Sequence, residues 1–392
     1  MILEIDISDI EKAEVSTFVD MLTYVSEYIY EIKKEENKVL LNIEGGKNEE
    51  VLDKIKILRG YLNLDEVKKK RDVSTKVLEN HTDKKTINKE SIFEKLIECG
   101  SIVEMSDGAY GYSGIFLKVF RYFNRKIEEF GHEMFEDIID LEDSILYPVD
   151  EYERGLYFES FPHHLCFETN IKSNVELLDR FSKNGISDPE IFSITNFKKP
   201  ENILRHAACV PIYPMLKNKV ISEDKPVFYL VSGKCFRNED KNISELARLN
   251  EFYMKEYVCI GTLKQTLDMI EKAKKLWNYW IEKFDLNCTI QTANDSFFAN
   301  NYKKLKIFQI MGNSKQELKV NLPHNNTECA VSSANVHRTH FTKTYNIHSN
   351  NSLCMSSCFA FGIERLSYAL LCQKGIDIDK WDDITRKEIL GE

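Results

Sequence analysis

The sequence contains no apolar stretch long enough to cross a bilayer, and its N-terminus has no basic, apolar leader. The first residues, MILEIDISDIEKAE, are acidic instead. We therefore expect a cytoplasmic protein without membrane contact. Basic residues are not in excess either, because the formal net charge is -10. A chain of this sign is not expected to attract nucleic acid as a whole, which leaves only a local basic patch for that role.

Disulfide bonds are also not expected. The ten cysteines are spread over 392 residues without secretory features, so reduced thiols are the default and metal ligation is the main functional alternative. Apolar residues make up 43% and charged residues 30%, which is typical of a soluble globular protein. The length suffices for one large core and a smaller module. We found no internal repeat.

The chain divides into three parts. Residues 1–64 predict a small α+β module of unknown role, with a strand (MILEIDI), a long helix over Asp9–Lys33, a second strand (KVLLNIE) and a helix near Glu49–Leu62. Residues 65–90 carry the basic run KKKR and predict a charged, solvated linker rather than a nucleic-acid patch. The pattern of strands and helices in residues 91–392 predicts one large domain.

That large domain is rich in strands and poor in β-α-β units. Long helices are expected after the turn-bearing phrase DGAYGYSG, over the Trp-rich stretch 263–284, and after the strand LCMSSCFAFG. An inventory dominated by strands with long connections favours an α+β fold, with a largely antiparallel sheet flanked by helices.

The most informative stretch is the predicted hairpin Phe228–Ile260. Both ends alternate at period two, whereas the middle is a long polar loop. On the second strand the alternation places Glu256 on the same face as Met254 and Val258. An unpaired carboxylate on an apolar face is costly, so we expect Glu256 to bind a partner.

Three arginines surround this hairpin in the sequence. Arg237 ends the first strand, Arg248 lies near the end of the loop, and Arg365 falls in the first turn of the last long helix. A cation is disfavoured at a helix N-terminus unless an anion compensates it. Taken singly, each arginine indicates a surface salt bridge; taken together, they indicate a polyphosphate site, since guanidinium binds phosphate bidentately.

Several phrases resemble a known family. FRNED followed by NEFYMKEY is similar to motif 2 of the class II aminoacyl-tRNA synthetases, FAFGIERL is similar to motif 3, and the segment up to Pro148 would be motif 1 of the dimer interface. The closest resemblance is to the amino acid:[carrier protein] ligases, truncated relatives of zinc-dependent seryl-tRNA synthetase. It rests on DGAYGYSGIF, FESFPHHL, AACVPIYP, CFRNED, MKEYVCIG, ANDSFF, ELKVNLP, VSSANVHRTHF and SCFAFGIERL, which span residues 91–392. We see no counterpart for residues 1–90.

The resemblance implies a zinc site made by Cys209, Glu256 and Cys358, with the fourth position open to the amino group of the substrate. Two thiolates and a carboxylate suit tetrahedral Zn²⁺ and leave such a position free. This would explain the carboxylate on the apolar face. Taken singly, either cysteine indicates only a small apolar side chain packed in the core.

The resemblance also implies a nucleotide site for ATP with Mg²⁺. Arg237 would hold the α-phosphate and the substrate carboxylate, Glu239 would bind the adenine amino group and Phe252 would stack on adenine, while Arg248 and Arg365 would hold the outer phosphates. Arg237 and Arg365 would be the catalytic residues. Weaker correspondences place Asp295 and Asn335 in the amino-acid pocket. Where the synthetases have an acidic residue for Mg²⁺ this chain has Ala330, so the magnesium ligands stay open.

The implied activity is that of a ligase with two steps. A small amino acid is activated by ATP as an aminoacyl-adenylate and then transferred to the phosphopantetheine thiol of a carrier protein, in a homodimeric enzyme. Two alternatives remain open at this point: a zinc-dependent aminoacyl-tRNA synthetase, and an inactive paralogue that binds or regulates. tRNA is the less favoured acceptor, because residues 1–90 offer neither a long coiled-coil arm nor an obviously basic face.

Overall fold

The structure, a computed structural model, describes residues 1–62, 64, 74–295, 309–310, 314–350 and 352–391. The KKKR run and the end of the ANDSFF phrase lie outside this part of the chain. The strands are β1 Ile2–Asp6, β2 Ile29–Lys34, β3 Lys38–Ile43, β4 Val77–Asn80, β5 Ile102–Ser106, β6 Ala109–Tyr112, β7 Ile139–Glu142, β8 Leu146–Pro148, β9 Cys166–Glu168, β10 Asn202–Leu204, β11 Val227–Phe236, β12 Glu251–Gly261, β13 Cys288–Thr292, β14 Lys315–Leu322, β15 Thr327–Arg338 and β16 Met355–Gly362.

The α-helices lie between some of these strands and after the last one. They are α1 Lys12–Leu22, α2 Asn48–Tyr61, α3 Phe93–Glu98, α4 Gly114–Met134, α5 Val149–Arg154, α6 Tyr157–Ser160, α7 Val175–Asn184, α8 Ile212–Met215, α9 Leu263–Lys283, α10 His340–Thr344, α11 Ile363–Lys374 and α12 Asp383–Leu390. No helix in these described parts combines the length and the apolarity that a transmembrane segment needs. All ten cysteines are free thiols.

An eight-stranded sheet organises the large domain, in the order β4-β13-β14-β15-β16-β12-β11-β7. Its pairs are antiparallel except for the parallel pair of β11 with β7. The α+β prediction with a largely antiparallel sheet is therefore confirmed. Smaller sheets are formed by β1-β3-β2, by β8-β10-β9 and by the β5-β6 hairpin.

The two faces of the large sheet carry separate cores. On one face, the long helices α4, α9 and α11 pack against strand residues such as Tyr257 and Phe361. On the other face, Val231 and Val258 pack with residues of the α8 region such as Tyr213. Period-two alternation assigns Glu256 to this second face, where its side chain is only 1% exposed. The functional cleft opens on this face.

The N-terminal module has its own core, formed by α1, α2 and the β1-β3-β2 sheet. The predicted helix over Asp9–Lys33 is wrong in its second half, because α1 ends at Leu22 and Ile29–Lys34 is strand β2. Hydrogen bonding to β3 outweighs the helical spacing there. Val77–Asn80, placed in the linker by the sequence, pairs with β13 at the sheet edge.

The apolar spacing of α9 predicts one buried stripe made of Leu263, Leu267, Ile270, Trp277, Ile281 and Phe284, and the structure differs at its start. Ile270, Trp277, Ile281 and Phe284 are buried as expected, but Leu263 and Leu267 are 40% and 43% exposed. The first turns of α9 follow a capping box at Thr262, and they turn Thr266, which is fully buried, toward β16 in place of the two leucines.

Candidate functional site

All ten predicted site residues line one open cleft of about 910 Å³. The cleft lies on the second face of the large sheet, above β12, β15 and β16, and residues of α1 contribute to its wall. The ten predicted site residues in the cleft are Cys209, Arg237, Glu239, Arg248, Phe252, Glu256, Asp295, Asn335, Cys358 and Arg365.

Cys209, Glu256 and Cys358 converge at the floor of this cleft. One ligand atom from each of the three side chains lies within 4.8 Å of the others, and all three residues are buried. Within the described residues this is the one group of three histidine, cysteine, aspartate or glutamate side chains placed to hold a metal ion. The Cys209 N–H donates to Oε1 of Glu256 at 3.0 Å, which fixes the carboxylate.

Sheet register explains how two of these three side chains meet. Glu256 pairs with Ala360, and Val258 pairs with Cys358, so Glu256 and Cys358 are diagonal neighbours on the same face of adjacent strands. Cys209 comes from the segment between β10 and α8. That segment is anchored by the buried Arg205, whose guanidinium donates to the carbonyl oxygens of Ser232 and Lys234 at 2.9 and 3.0 Å.

Glycine is required at position 233 for this anchor. Gly233 has a φ of +134°, and a Cβ there would lie 2.0 Å from Nη2 of Arg205. A side chain at this position would push Arg205 out of its contacts with β11.

The chemistry of the donor set fits a divalent cation. The neighbouring Cys358 thiol, burial and the Glu256 carboxylate together raise the pKa of Cys209 well above its ordinary value, and the pKa of Cys358 is also raised. Three groups that are anionic when deprotonated, close together and away from water, are stabilised by a metal ion. Two sulfurs and one carboxylate are ligands that Zn²⁺ accepts.

Two side chains surround Cys358 at hydrogen-bonding range. Nδ2 of Asn335 donates to its Sγ at 3.6 Å, and Nε2 of His337 lies 3.6 Å from the same sulfur. Nδ1 of His337 is 3.1 Å from the Tyr213 hydroxyl. Burial lowers the pKa of His337 to about 3, so its imidazole is neutral. These contacts orient the thiol in the way that outer partners orient metal ligands.

Arg237 lies at the junction of β11 with the following loop. Its Nε donates to the carbonyl oxygen of His206 at 3.1 Å, and its guanidinium carbon lies 5.1 Å from the centre of the Phe252 ring. Arg237 and Phe252 both line the cleft. A guanidinium held in this way is pre-oriented for an anion.

Glu239 and Arg248 lie near opposite ends of the loop between β11 and β12. Glu239 is 5% exposed, and its backbone N–H donates to Oδ1 of Asn250 at 2.9 Å. Nη1 of Arg248 is 3.9 Å from the Glu239 carboxylate, whereas its Nη2 donates to Oδ2 of Asp20 at 3.1 Å. The loop therefore presents one acidic and one basic side chain to the cleft. Arg248 contacts both Glu239 and Asp20 of α1.

Arg365 reaches the cleft from the first turn of α11, as predicted. Its Nη1 donates to the carbonyl oxygen of Ala330 on β15 at 3.1 Å. The neighbouring Glu364 is buried and accepts the N–H of Tyr253 with both carboxylate oxygens at 2.9 Å. Burial raises the pKa of Glu364 to about 7.

Asp295 forms a partly buried ion pair with Lys315 on β14. Nε2 of Gln309 donates to Oδ2 of Asp295 at 2.7 Å, and Nζ of Lys315 is also 3.3 Å from Glu317. Despite burial, the lysine charge and these hydrogen bonds hold the pKa of Asp295 below its ordinary value. The sequence predicted Asp295 in the cleft but not its partner.

Three cleft residues were missed or left without a role by sequence reasoning. Lys315 was detectable, because KQELKVNL alternates polar and apolar residues and places lysine on the face of Glu317. His337 belongs to a family phrase but carries no local signal for its contact with Cys358. Asp20 could not be found, because its contact with Arg248 joins distant parts of the chain.

Comparison with known proteins assigns the chain to a family. The profile of the tRNA synthetase class II core domain (G, H, P, S and T) matches residues 192–374. Amino acid--[acyl-carrier-protein] ligase 1 of Bradyrhizobium diazoefficiens is 31% identical over 244 residues, covering 61% of this chain and 72% of the relative. The type-2 serine--tRNA ligase of Methanocaldococcus jannaschii is 30% identical over 254 residues, covering 62% of this chain and 49% of the relative.

Solved structures support the same fold. The seryl-tRNA synthetase of M. kandleri, crystallised with A. aeolicus tRNASec, has a TM-score of 0.70 at 19% identity and covers 93% of this chain and 74% of that chain. The cytoplasmic serine-tRNA ligase of Naegleria fowleri has a TM-score of 0.60 at 11% identity, covering 88% and 79%. Since residues 91–392 are about three quarters of the chain, the first match extends into residues 1–90, for which the sequence had suggested no counterpart.

The chain spans about half the length of the type-2 serine--tRNA ligases that it matches. It spans 72% and 70% of the two Bradyrhizobium amino acid--[acyl-carrier-protein] ligases, at 31% identity in both cases. The chain belongs to the family of the amino acid--[acyl-carrier-protein] ligases, proteins built on the class II tRNA synthetase core.

Proposed function

We propose that the protein activates a small amino acid with ATP and transfers it to the phosphopantetheine thiol of a carrier protein. The observation that carries this proposal is the convergence of a Cys-Glu-Cys cluster and three arginines in one cleft. The cluster supplies a site for an amine through a metal ion, and the arginines supply sites for a carboxylate and a triphosphate.

In the first step, a carboxylate oxygen of the amino acid attacks the α-phosphorus of ATP. The bond between that phosphorus and the bridging oxygen of the β-phosphate breaks, and pyrophosphate leaves with Mg²⁺. Arg237 stabilises the charge that develops on the α-phosphoryl oxygens, and Arg365 and Arg248 hold the outer phosphates. Positioning and charge stabilisation account for such a step without a covalent intermediate on the protein.

Glu239 and Phe252 would place the base of the nucleotide. The buried carboxylate of Glu239 suits the exocyclic amine of adenine, and the Phe252 ring offers a face for stacking. Cys209, Glu256 and Cys358 would hold Zn²⁺, which when bound supplies a Lewis-acidic position for the amino group. Asn335 and His337 orient Cys358 from behind, and the Asp295–Lys315 pair would border the amino-acid pocket.

In the second step, the carrier thiol attacks the carbonyl carbon of the adenylate. A carbon–sulfur bond forms, and the bond between the carbonyl carbon and the phosphate oxygen breaks. AMP leaves, and the aminoacyl thioester is complete. We assign no protein nucleophile to this step. The segment that ends at Pro148 would be motif 1 of the dimer interface, and Leu146 within it is 40% exposed. We expect a homodimer, which light scattering can measure.

A second candidate acceptor is tRNA, because type-2 serine--tRNA ligases are among the relatives. The charge of the N-terminal module favours the carrier protein over tRNA. Residues 1–62 contain fourteen acidic and eight basic side chains, a net charge of -6. A surface that binds a phosphate backbone needs the opposite sign.

The test is amino-acid-dependent ATP–pyrophosphate exchange with each of the twenty amino acids. We expect glycine, alanine or serine to support exchange, and bulky side chains and the hydroxy acid glycolate to fail, since a metal that must bind a free amine rejects a hydroxyl. The best substrate is then offered to holo-carrier protein and to tRNA, with apo-carrier protein as the control.

Exchange with glycolate or with a large aromatic amino acid would contradict the proposed amine site. Aminoacylation of tRNA without thioester formation would overturn the acceptor and leave the activation step standing. No exchange with any amino acid would refute the proposed function.

A further prediction concerns where the carrier protein docks. The helical spacing of Lys272, Lys275 and Lys283 on α9 predicts a row of lysines for a docking face. Lys272 and Lys275 are exposed, but Lys283 is 3.6 Å from Glu388 and is already paired. Carrier proteins of this kind are acidic, so we expect Lys272→Glu/Lys275→Glu to lower transfer by about tenfold at low salt and less at high salt. Adenylate formation should not change.

The matched control is Lys33→Glu/Lys34→Glu, which makes the same change of charge on exposed residues of β2. Equal transfer by the two double variants would show that the α9 lysines are a solvated face only.

A further inference from the structure

The end of helix α1 is bonded directly to the loop between β11 and β12. Five hydrogen bonds connect them. On the side of the large domain, every bonded atom belongs to residues 238–248. They are Tyr24 Oη to Asn238 O at 2.9 Å, Thr23 Oγ1 to Asp240 Oδ2 at 3.0 Å, Lys241 N to Thr23 Oγ1 at 3.1 Å, Asn242 Nδ2 to Asp20 O at 2.8 Å and Arg248 Nη2 to Asp20 Oδ2 at 3.1 Å.

This loop needs external support. Asp240 and Glu245 have φ angles of +45° and +44°, in the left-handed region that side chains other than glycine rarely adopt. Such residues are strained and persist where surrounding contacts determine their conformation. Thr23 supplies those contacts to Asp240, because it binds both the Asp240 carboxylate and the next backbone N–H.

Asp20 holds Arg248 from one side only. Its carboxylate takes a single N–H of the guanidinium, from Nη2, and Nη1 is 3.9 Å from Glu239. A guanidinium has five N–H donors in a rigid fork, so the edge that Asp20 does not occupy stays available to a ligand. The arrangement orients the arginine and leaves it capable of binding phosphate.

The same helix forms part of the cleft wall. Asp20, Met21 and Tyr24 line the cleft together with Arg237 and Glu239. The Tyr24 ring also lies 4.9 Å, centre to centre, from the His163 ring of the large domain. The N-terminal module is therefore joined to the candidate nucleotide site by polar, aromatic and steric contacts.

We propose that the N-terminal module is a built-in wall of the nucleotide site, and that Asp20 is a positioning residue that sets Arg248 for the outer phosphates. This inference rests on the proposed function in one respect, the assignment of ATP to the cleft. Two other interpretations fit the contacts less well. A blocking contact would occupy the arginine fork rather than one N–H, and a docking arm for tRNA would not carry a net charge of -6.

The kinetic test compares Asp20→Ala and Asp20→Asn with wild type in ATP–pyrophosphate exchange. We expect Asp20→Ala to raise KM for ATP about tenfold, since a charge-assisted hydrogen bond that orients the ligand-binding group is lost. KM for the amino acid should stay within about twofold, because the Cys-Glu-Cys cluster is untouched, and Asp20→Asn should have a smaller effect than alanine. Asp53→Ala, an exposed residue of the same module paired only with Lys56 in an i,i+3 contact, is the matched control.

A second readout does not require catalysis. Hydrogen exchange of the 238–248 segment should be faster in Asp20→Ala and in Thr23→Val than in wild type or Asp53→Ala, because the bonds from α1 protect this loop. ATP affinity measured by calorimetry should fall in Asp20→Ala.

Unchanged ATP affinity and unchanged loop exchange in Asp20→Ala would overturn the inference. Tighter ATP binding would also overturn it, because Asp20 would then be competing with the triphosphate. If wild type shows no exchange with any amino acid, the proposed function fails, whereas calorimetry and hydrogen exchange still decide whether α1 supports the nucleotide site.

Discussion

Replacing Arg237 by alanine should lower amino-acid-dependent ATP–pyrophosphate exchange by about two to three orders of magnitude. Arg237 is held by His206 and by the Phe252 ring at the wall of the cleft. A donor fixed before the reaction stabilises the charge that develops on the α-phosphoryl group without reorganisation at that moment. We expect kcat and kcat/KM to fall together, which is the pattern for an interaction made in the transition state.

Two further variants sharpen this measurement. Arg237→Lys keeps the charge but loses the planar fork, so it should recover only a small part of the activity. Arg125→Ala removes an exposed arginine on α4, 61% exposed and paired with Glu129, and should leave exchange unchanged. Near-normal exchange by Arg237→Ala would refute its assignment to the α-phosphate.

The second large effect concerns the metal. Purified protein should contain close to one zinc ion per chain, and Cys358→Ser should lose both the zinc and the exchange activity. Serine replaces a thiolate ligand by a hydroxyl that does not ionise near neutral pH, and it leaves Cys209 and Glu256 as an incomplete set. Circular dichroism should show that the fold is retained, since sulfur and oxygen differ little in size.

Cys99→Ser is the control for this experiment, because Cys99 is an exposed free thiol outside the cleft. It should keep one zinc per chain and full exchange. Metal-free protein with full activity would show that the cluster is a set of packed thiols and a buried acid, and not a metal site.

The sequence predicted the parts of the site that depend on local pattern. Strand alternation identified Glu256 as a buried carboxylate, and the structure confirms it at 1% exposed. The hairpin, the helix after β16 and the position of Arg365 in its first turn follow from similar patterns. The resemblance to family phrases then linked Cys209 and Cys358 to Glu256, a grouping that no spacing rule would have given.

What the sequence could not supply are contacts between distant segments. The partners Asp20 and Arg248, and likewise Lys283 and Glu388, are joined only by the tertiary fold. Residues 29–33 fall within the predicted helix, whereas pairing with β3 makes Ile29–Lys34 a strand. Leu263 and Leu267 are exposed because Thr266 faces the sheet in the first turns of α9, an orientation that the apolar spacing of the helix does not encode.

The position of β16 in the large sheet has a consequence for the order of assembly. β16 follows the other described strands in the chain, yet it lies between β15 and β12 near the middle of the sheet. Until it inserts, the strands on its two sides form separate halves without a shared hydrogen-bond ladder. Because β16 carries Cys358, the insertion that unites the halves also delivers the final thiol of the cluster. During synthesis Cys209 and Glu256 are therefore present before Cys358, and the proposed metal site would become complete only when the sheet does.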